Sequence, residues 1–303
     1  MRNRWYKGNL HTHTSLLGST GPESPENVVR WYGSHGYHWL AITDHNVLTE
    51  YETDELVMVR GQEVGKHMPS GNGPIHVNGF GIESSVEFVD LDEKVPTMQA
   101  SIDGVLAVGG MASLNHPNDR DSFTHEHVLQ TTGASFVEVF NGGGPSKNNE
   151  GGDGRPNTEE IWDSILSGGQ RIYGIATDDA HTYDEFRPDR ANPGRGWVWI
   201  RARTLVEETI LEALSLGEFY ASTGVELTDV SATPSDLSIK IQENPGESFD
   251  TRFIGRNGRV LAEQVGLQPR YVFEGDEGYV RATVLSSTGS KAWVQPVFLT
   301  SYE

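Results

Sequence analysis

The chain has 303 residues, 36% of them hydrophobic and 22% charged, enough to bury the core of one large domain or of one large and one small. Its 43 acidic against 23 basic residues give a net charge of −20, a field that repels polyanions and argues against nucleic acid as a partner. There is no cysteine, which excludes disulfides and thiolate metal sites and leaves nitrogen and oxygen as the only metal-binding chemistry.

No apolar run approaches the roughly eighteen residues that cross a bilayer, and the opening MRNRWYKGNL lacks an apolar signal region. The expectation is a soluble, cytoplasmic protein that acts on a small molecule away from membranes. A small anionic substrate is compatible with the charge, because bound divalent cations would reverse its sign locally.

In chain order, a helix is expected from Ser24-Pro25, with Ser as cap, Pro at the first helical position and Val28, Val29 and Tyr32 on the apolar face. Strands follow at Trp39 to Thr43, Leu56 to Arg60, Val105 to Leu114 and Phe136 to Phe140. The Gly-rich stretch Gly142 to Gly154 reads as a mobile loop near a site. A helix opens with Thr-Glu-Glu at Thr158 and runs to Leu166, strands come at Arg171 to Thr177 and Trp197 to Arg201, and a helix at Leu205 to Leu216 closes on Gly217. This alternation predicts an α/β fold over residues 1–222. From 223 to 303 the texture changes to short alternating runs (LSIKIQ, TRFIGRNGRVLA, RYVFEG, GYVRATVLSSTG, KAWVQPVFL) separated by turn residues, as in a small antiparallel, sandwich-like β domain.

All 11 histidines lie within the first 181 residues, and chemistry-bearing side chains recur where predicted strands end, which is where α/β folds place their sites. His11 and His13 in NLHTHT are two apart and on extended backbone point the same way, able to chelate one ion. Asp44 and His45 follow the strand WLAI, and Glu63 in RGQEV follows LVMV, where a carboxylate can bridge two cations. His116 in SLNHPN follows the next strand, and Asp178, Asp179 and His181 in GIATDDAH follow the strand Arg171 to Thr177. Each has a bland reading alone, as a turn residue, a cap or a surface histidine. Five successive strand ends delivering a histidine or carboxylate to one basin imply a site for Zn, Mn or Fe.

The ordered set HTHT, TDH, GQEV, NHP and TDDAH resembles the PHP family of metal-dependent hydrolases, named for polymerase and histidinol phosphatase, over about residues 1 to 220. The finer texture, NLHTHT, GYHWLAITDHN, GEFYASTG and AWVQP, is similar to the two-domain branch of CehA/McbA-type metallohydrolases. The resemblance implies a distorted (β/α)7 barrel followed by the small β domain. It implies one ion on His11, His13, Glu63 and Asp179, a second sharing Glu63 with His116, and a third on His45 and His181, hence one to three divalent ions. Asp44 and Asp178 are then expected to orient imidazoles. Two positions depart from the family pattern: SLLGSTGPES lacks the Asp usual after HxH, and the segment GGGPSKNNEGG that follows FVEVFN has no histidine. His76 in PIHVNGF, Glu138 or Asn141 could fill the latter place.

Metal-activated hydroxide hydrolysing a small-molecule phosphate mono- or diester is the expected activity. His76, His181 or Asp178 would move the proton, and Arg195 in NPGRG would hold an anion. No nucleophile elbow is present. A carboxylic or carbamate ester is the rival substrate, favoured by the low count of basic residues near the motifs; a degenerate barrel acting only as a binding module is the rival class.

Overall fold

A computed structural model describes residues 3–15, 23–66, 73–89 and 91–299. Residues 16–22, which carry most of the first departure noted above, lie outside the described residues. The elements run β1 (Arg4–Asn9), α1 (Pro25–Ser34), β2 (Trp39–Ile42), β3 (Val57–Lys66), β4 (Ile75–Phe80), α2 (Lys94–Ala107), β5 (Met111–Leu114), α3 (His125–Val128), β6 (Ala134–Asn141), α4 (Thr158–Ser167) and β7 (Tyr173–Thr177). Then come β8 (Trp197–Ala202), α5 (Glu207–Ser215), β9 (Phe219–Ser222), β10 (Leu227–Ala232), β11 (Asp236–Ile241), β12 (Phe249–Gly255), β13 (Arg259–Val265), β14 (Arg270–Val272), β15 (Tyr279–Ser286) and β16 (Lys291–Phe298). No helix among the described residues is long and apolar enough to cross a membrane.

The result is a mixed α/β protein with one large sheet and few helices. Thirteen strands share that sheet in the order β13-β12-β15-β16-β9-β8-β1-β2-β3-β4-β5-β6-β7, and β10, β11 and β14 form a second. β1, β2 and β3 are parallel, β4 runs antiparallel between β3 and β5, and β5, β6 and β7 are again parallel to one another. The distorted (β/α)7 barrel that the resemblance implies is not closed: no ladder joins β7 back to β8 or β1 among the described residues. The seam is held instead by single bonds. Gln295 of β16 accepts from the Gly174 N–H and donates to the Gly174 carbonyl, at 2.9 and 2.8 Å. Past the strand ends, Asp179 N–H donates to His11 O at 2.9 Å and His13 N–H to Ala180 O at 3.0 Å.

Local chemistry explains most elements. Ser24 caps α1 by accepting from Asn27 N–H, Pro25 starts it, and Val28, Val29 and Tyr32 are buried as the spacing predicts. α4 is capped one residue earlier than expected, by Asn157 in a reciprocal pair with Glu160. The strand expected over Val105 to Leu114 is corrected: Val105–Ala107 end α2, and only Met111–Leu114 is strand. The buried set Thr97, Met98, Ser101, Ile102 and Val105 has helical spacing, and Gly109, at φ +80°, turns the chain out of the helix. The main apolar core lies between sheet and helices, centred on residues such as Trp39, Phe80, Phe136 and Trp162. A second cluster joins Tyr220 of β9 to Leu237, Phe253 and Val284 of the C-terminal strands.

Candidate metal centre

The parallel strands aim their C-terminal ends at one basin, and the chain leaves each end in extended or left-handed backbone that turns a side chain inward. His11 and His13 lie just beyond β1, flanking Thr12, which bridges Ala180. His116 and Asp179 both sit at positive φ, +35° and +48°, a costly conformation for non-glycine residues that marks functional turns. Because β4 runs antiparallel, its beginning lies among the ends of its neighbours. His76, its second residue, therefore faces the same basin.

Glu63 is the centre. One oxygen, Oε1, has His76 Nδ1 at 2.9 Å, His11 Nε2 at 3.3 Å and His116 Nε2 at 3.5 Å; the other, Oε2, has His45 Nδ1 at 3.0 Å and His13 Nε2 at 3.4 Å. Asp179 Oδ1 closes the group, 3.3 Å from His11 Nε2, 3.2 Å from His13 Nε2 and 3.6 Å from His181 Nδ1. Glu63, His11 and His13 are fully or almost fully buried. Three overlapping sets have ligand atoms mutually within 4.8 Å: His11, His13 and Asp179; His45, Glu63 and His76; and His13, His45 and His181.

These residues fit divalent ions. Atoms bound about 2.0–2.1 Å from a tetrahedral ion lie roughly 3.3–3.4 Å apart, and the His11, His13, Glu63 and Asp179 separations of 3.2–3.4 Å have that scale. His11 Nε2 is buried with no hydrogen-bond partner despite two carboxylates nearby, as expected of a lone pair aimed at a shared centre and not at either oxygen. His11 Nδ1 donates to Glu138 Oε1 at 2.7 Å, which fixes the tautomer that leaves Nε2 bare.

Charges follow from this crowding. Burial alone would lower His11, but Asp179, Glu63 and Glu138 hold its pKa well above the ordinary imidazole range, so a cation taking Nε2 would displace a proton there. Burial and the neighbouring His181 put His13 well below it. Burial raises Glu63, and His76, His45 and His11 outweigh it, so its carboxyl stays well below its usual value. Asp179 is likewise lowered, by His11 and Lys147 against burial.

Other expected site residues lie around the centre. Glu138 is spent on positioning: besides His11 it accepts from Thr177 Oγ1, from His116 N–H and from Asn141 Nδ2, at 2.6, 2.6 and 2.7 Å. Asn141 also donates to Asp179 Oδ2 at 3.2 Å. Asp44 accepts from Thr14 and Thr49 and clamps the turn that presents His45. Asp178, one of the three expected proton carriers, is fully buried and receives five donors, from Asn9, Tyr32, Gly194, Arg195 and Gly196. Arg195, the expected anion holder, donates from its guanidinium to the Gly142 and Arg187 carbonyls and to Asn192 Oδ1, tying two loops together. The Gly142 to Gly154 loop adjoins the site as expected, anchored by the mutual Asn141 and Asn149 bonds at 2.9 and 2.8 Å.

Sequence reasoning missed Lys147, Asp119 and Asn115. Lys147 Nζ lies 2.7 Å from Asp179 Oδ2 and 3.2 Å from Asp119 Oδ2, and Asn115 Nδ2 donates to Glu63 Oε1 at 2.9 Å. Asn115 was legible in NHP beside His116; loop residues such as Lys147 carry no periodic signal. The basin opens into a cleft of about 500 Å³.

Fold and site together define a mixed α/β protein with a buried histidine–carboxylate centre suited to divalent ions. A two-domain protein from Bacteroides vulgatus ATCC 8482 containing a predicted PHP-like metal-dependent phosphoesterase shares this fold at 15% identity and a TM-score of 0.52, over 97% of this chain and 95% of that one. Weaker likenesses are to a lesion-specific endonuclease from Pyrococcus furiosus, 12% identical over 70% of this chain and 56% of that one with a TM-score of 0.45, and to an amidohydrolase from Chromobacterium violaceum, 14% identical over 60% and 93% with a TM-score of 0.41. No protein-family model and no curated protein matches the sequence.

Proposed function

We propose that this protein is a metal-dependent hydrolase that cleaves a phosphate mono- or diester of a small molecule. The observation that carries the reading is Glu63, one buried carboxylate whose two oxygens are divided among five imidazoles within 3.5 Å. That is the arrangement of a carboxylate bridging two cations, and it has no other evident use in a protein interior, where such crowding of like groups is costly.

His11, His13, Glu63 and Asp179 would hold one ion, and Glu63 with His76 and His116 or with His45 a neighbour. A divalent cation bound there supplies a Lewis acid and a water of near-neutral pKa. The chain supplies the rest. Glu138 and Asn141 hold His11 and Asp179 in register. The Nδ1–H of His181 donates to the Asp179 carbonyl at 2.9 Å, so its Nε2 keeps a lone pair at the rim of the cleft. Burial lowers the His181 pKa, which keeps that nitrogen unprotonated at neutral pH and able to take up a proton.

The test is elemental analysis of the purified protein with rates on p-nitrophenyl phosphate, bis-p-nitrophenyl phosphate and p-nitrophenyl acetate, beside Glu63→Ala and His116→Ala. Two metals per chain and phosphoesterase activity lost in both variants support the proposal. Metal with turnover of the acetate alone replaces it with a carboxyl or carbamate ester hydrolase, and neither metal nor turnover with a binding module.

A further inference from the structure

We infer that Lys147 is the residue that recognises the substrate's phosphoryl group, and that the preferred substrates are phosphomonoesters, whose terminal group is a dianion. The inference rests on the phosphoesterase reading above and narrows it. Among the described residues lining the cleft, Lys147 and Arg120 are the cations, in a molecule whose net charge of −20 otherwise repels anions. Lys147 is nearly buried, 11% exposed, whereas the Arg120 side chain is 60% exposed at the rim.

An ammonium has three donors and no acceptor. Two directions are taken by Asp179 Oδ2 and Asp119 Oδ2, which leaves one for a third oxygen. Asp119, itself buried and outside the Glu63 cluster, keeps hold of the ammonium whatever Asp179 binds. The loop delivers this lysine rigidly: Asn118 Nδ2 donates to the carbonyl of Asn148 at 3.1 Å. Gly143 leaves room for it, since a Cβ there would lie 2.7 Å from Lys147 Cε and 2.8 Å from Asp179 Oδ2. A buried ammonium beside a metal centre, held by Asp179 and Asp119 with one N–H left for a third oxygen, is suited to a phosphoryl oxygen, and where Asp179 is shared with a cation a second negative charge on that group strengthens the contact. A diester, with one charge fewer, gains less.

The experiment uses the metal-loaded protein with two variants, Lys147→Met and Lys147→Arg. It measures metal content, thermal midpoint, the Kd of inorganic phosphate by calorimetry, and KM and kcat on the mono- and diester. Lys147→Met is expected to retain its metal, to weaken phosphate binding by about tenfold or more, and to raise KM for the monoester more than for the diester. Lys147→Arg should recover part of the phosphate affinity. Unchanged phosphate affinity in Lys147→Met at full metal content overturns the assignment alone, and so does a loss of metal that accounts for the whole effect. Metal-loaded wild type that neither binds phosphate nor cleaves either phosphate ester overturns the phosphoesterase reading, and this one with it.

Discussion

The neighbouring pairs Asp44-His45 and Asp178-Asp179 show how two adjacent polar residues divide the work at a site. In each, one member enters the basin while the other is buried beside it and saturated by backbone and side-chain donors. The motif TDDAH therefore shows that a carboxylate is needed at that strand end, but not which of two does which work; the five donors around Asp178 become visible only when Gly194–Gly196 fold back onto it. His11 and His13 were legible from their two-residue spacing, and His45, Glu63 and His116 from the apolar runs before them, although β3 runs on past Glu63 to Lys66, whereas Lys147 and Asp119 come from irregular segments whose path depends on the loop anchors. Glu138→Gln keeps the shape but removes the charge that orients His11, and the metal affinity is expected to fall about 10–100-fold, read by competition with a chelator. Gly143→Ala has no room at Lys147 and Asp179 and should lower turnover without lowering secondary structure content, checked by kinetics and far-UV circular dichroism on one sample.

At the scale of elements, α4 and β15 are joined by a buried ion network. Arg281, 1% exposed, donates to Asp163 through Nε and Nη2 at 2.7 and 2.6 Å and reaches Glu159 at 3.4 Å. Removing one partner strands the others in low dielectric, so Arg281→Ala is expected to cost about 3–5 kcal/mol in denaturant unfolding. Burial raises the Glu159 carboxyl, but Arg281 and Lys291 pull it net below its ordinary value. A depressed folded pKa means that the contribution is complete above the unfolded value, about 4.3, and is lost as pH falls through the folded one. Glu159→Gln should therefore flatten the acid limb of stability below about pH 4.3, measured by urea unfolding of chelated protein. The antiparallel β4 is the element the alternating pattern hid: its residues are buried throughout, so nothing in IHVNGF states direction, and direction is what brings His76 to the centre. The helix α2 was hidden for a different reason, its last turn being rich in apolar residues that also suit a strand.

For the whole molecule, one sheet runs from the metal centre through β8 and β9 into the C-terminal strands, so loss of ions is felt as loss of stability and not only of activity. Ligands that bind only the folded state add about 2.7 kcal/mol at a hundredfold excess over Kd. Chelated protein is expected to melt at a lower temperature than the reconstituted form, and Glu63→Ala to show no such difference, by calorimetry of both. The C-terminal run of strands was readable from its alternation and turns, but the open seam was not, because a side chain such as Gln295 leaves no periodic trace when it replaces a ladder.

That seam also sets an order of events. His13 and Asp179 are 166 residues apart, and Gln295 lies 121 residues from the glycine it bridges, so the centre is assembled from contacts whose loop-closure entropy is high and whose formation is slow. No short stretch of the chain can gather the donors by itself. A refolding chain therefore acquires its ions last: divalent metal present from the start should leave the folding rate unchanged in stopped-flow fluorescence and act by slowing unfolding.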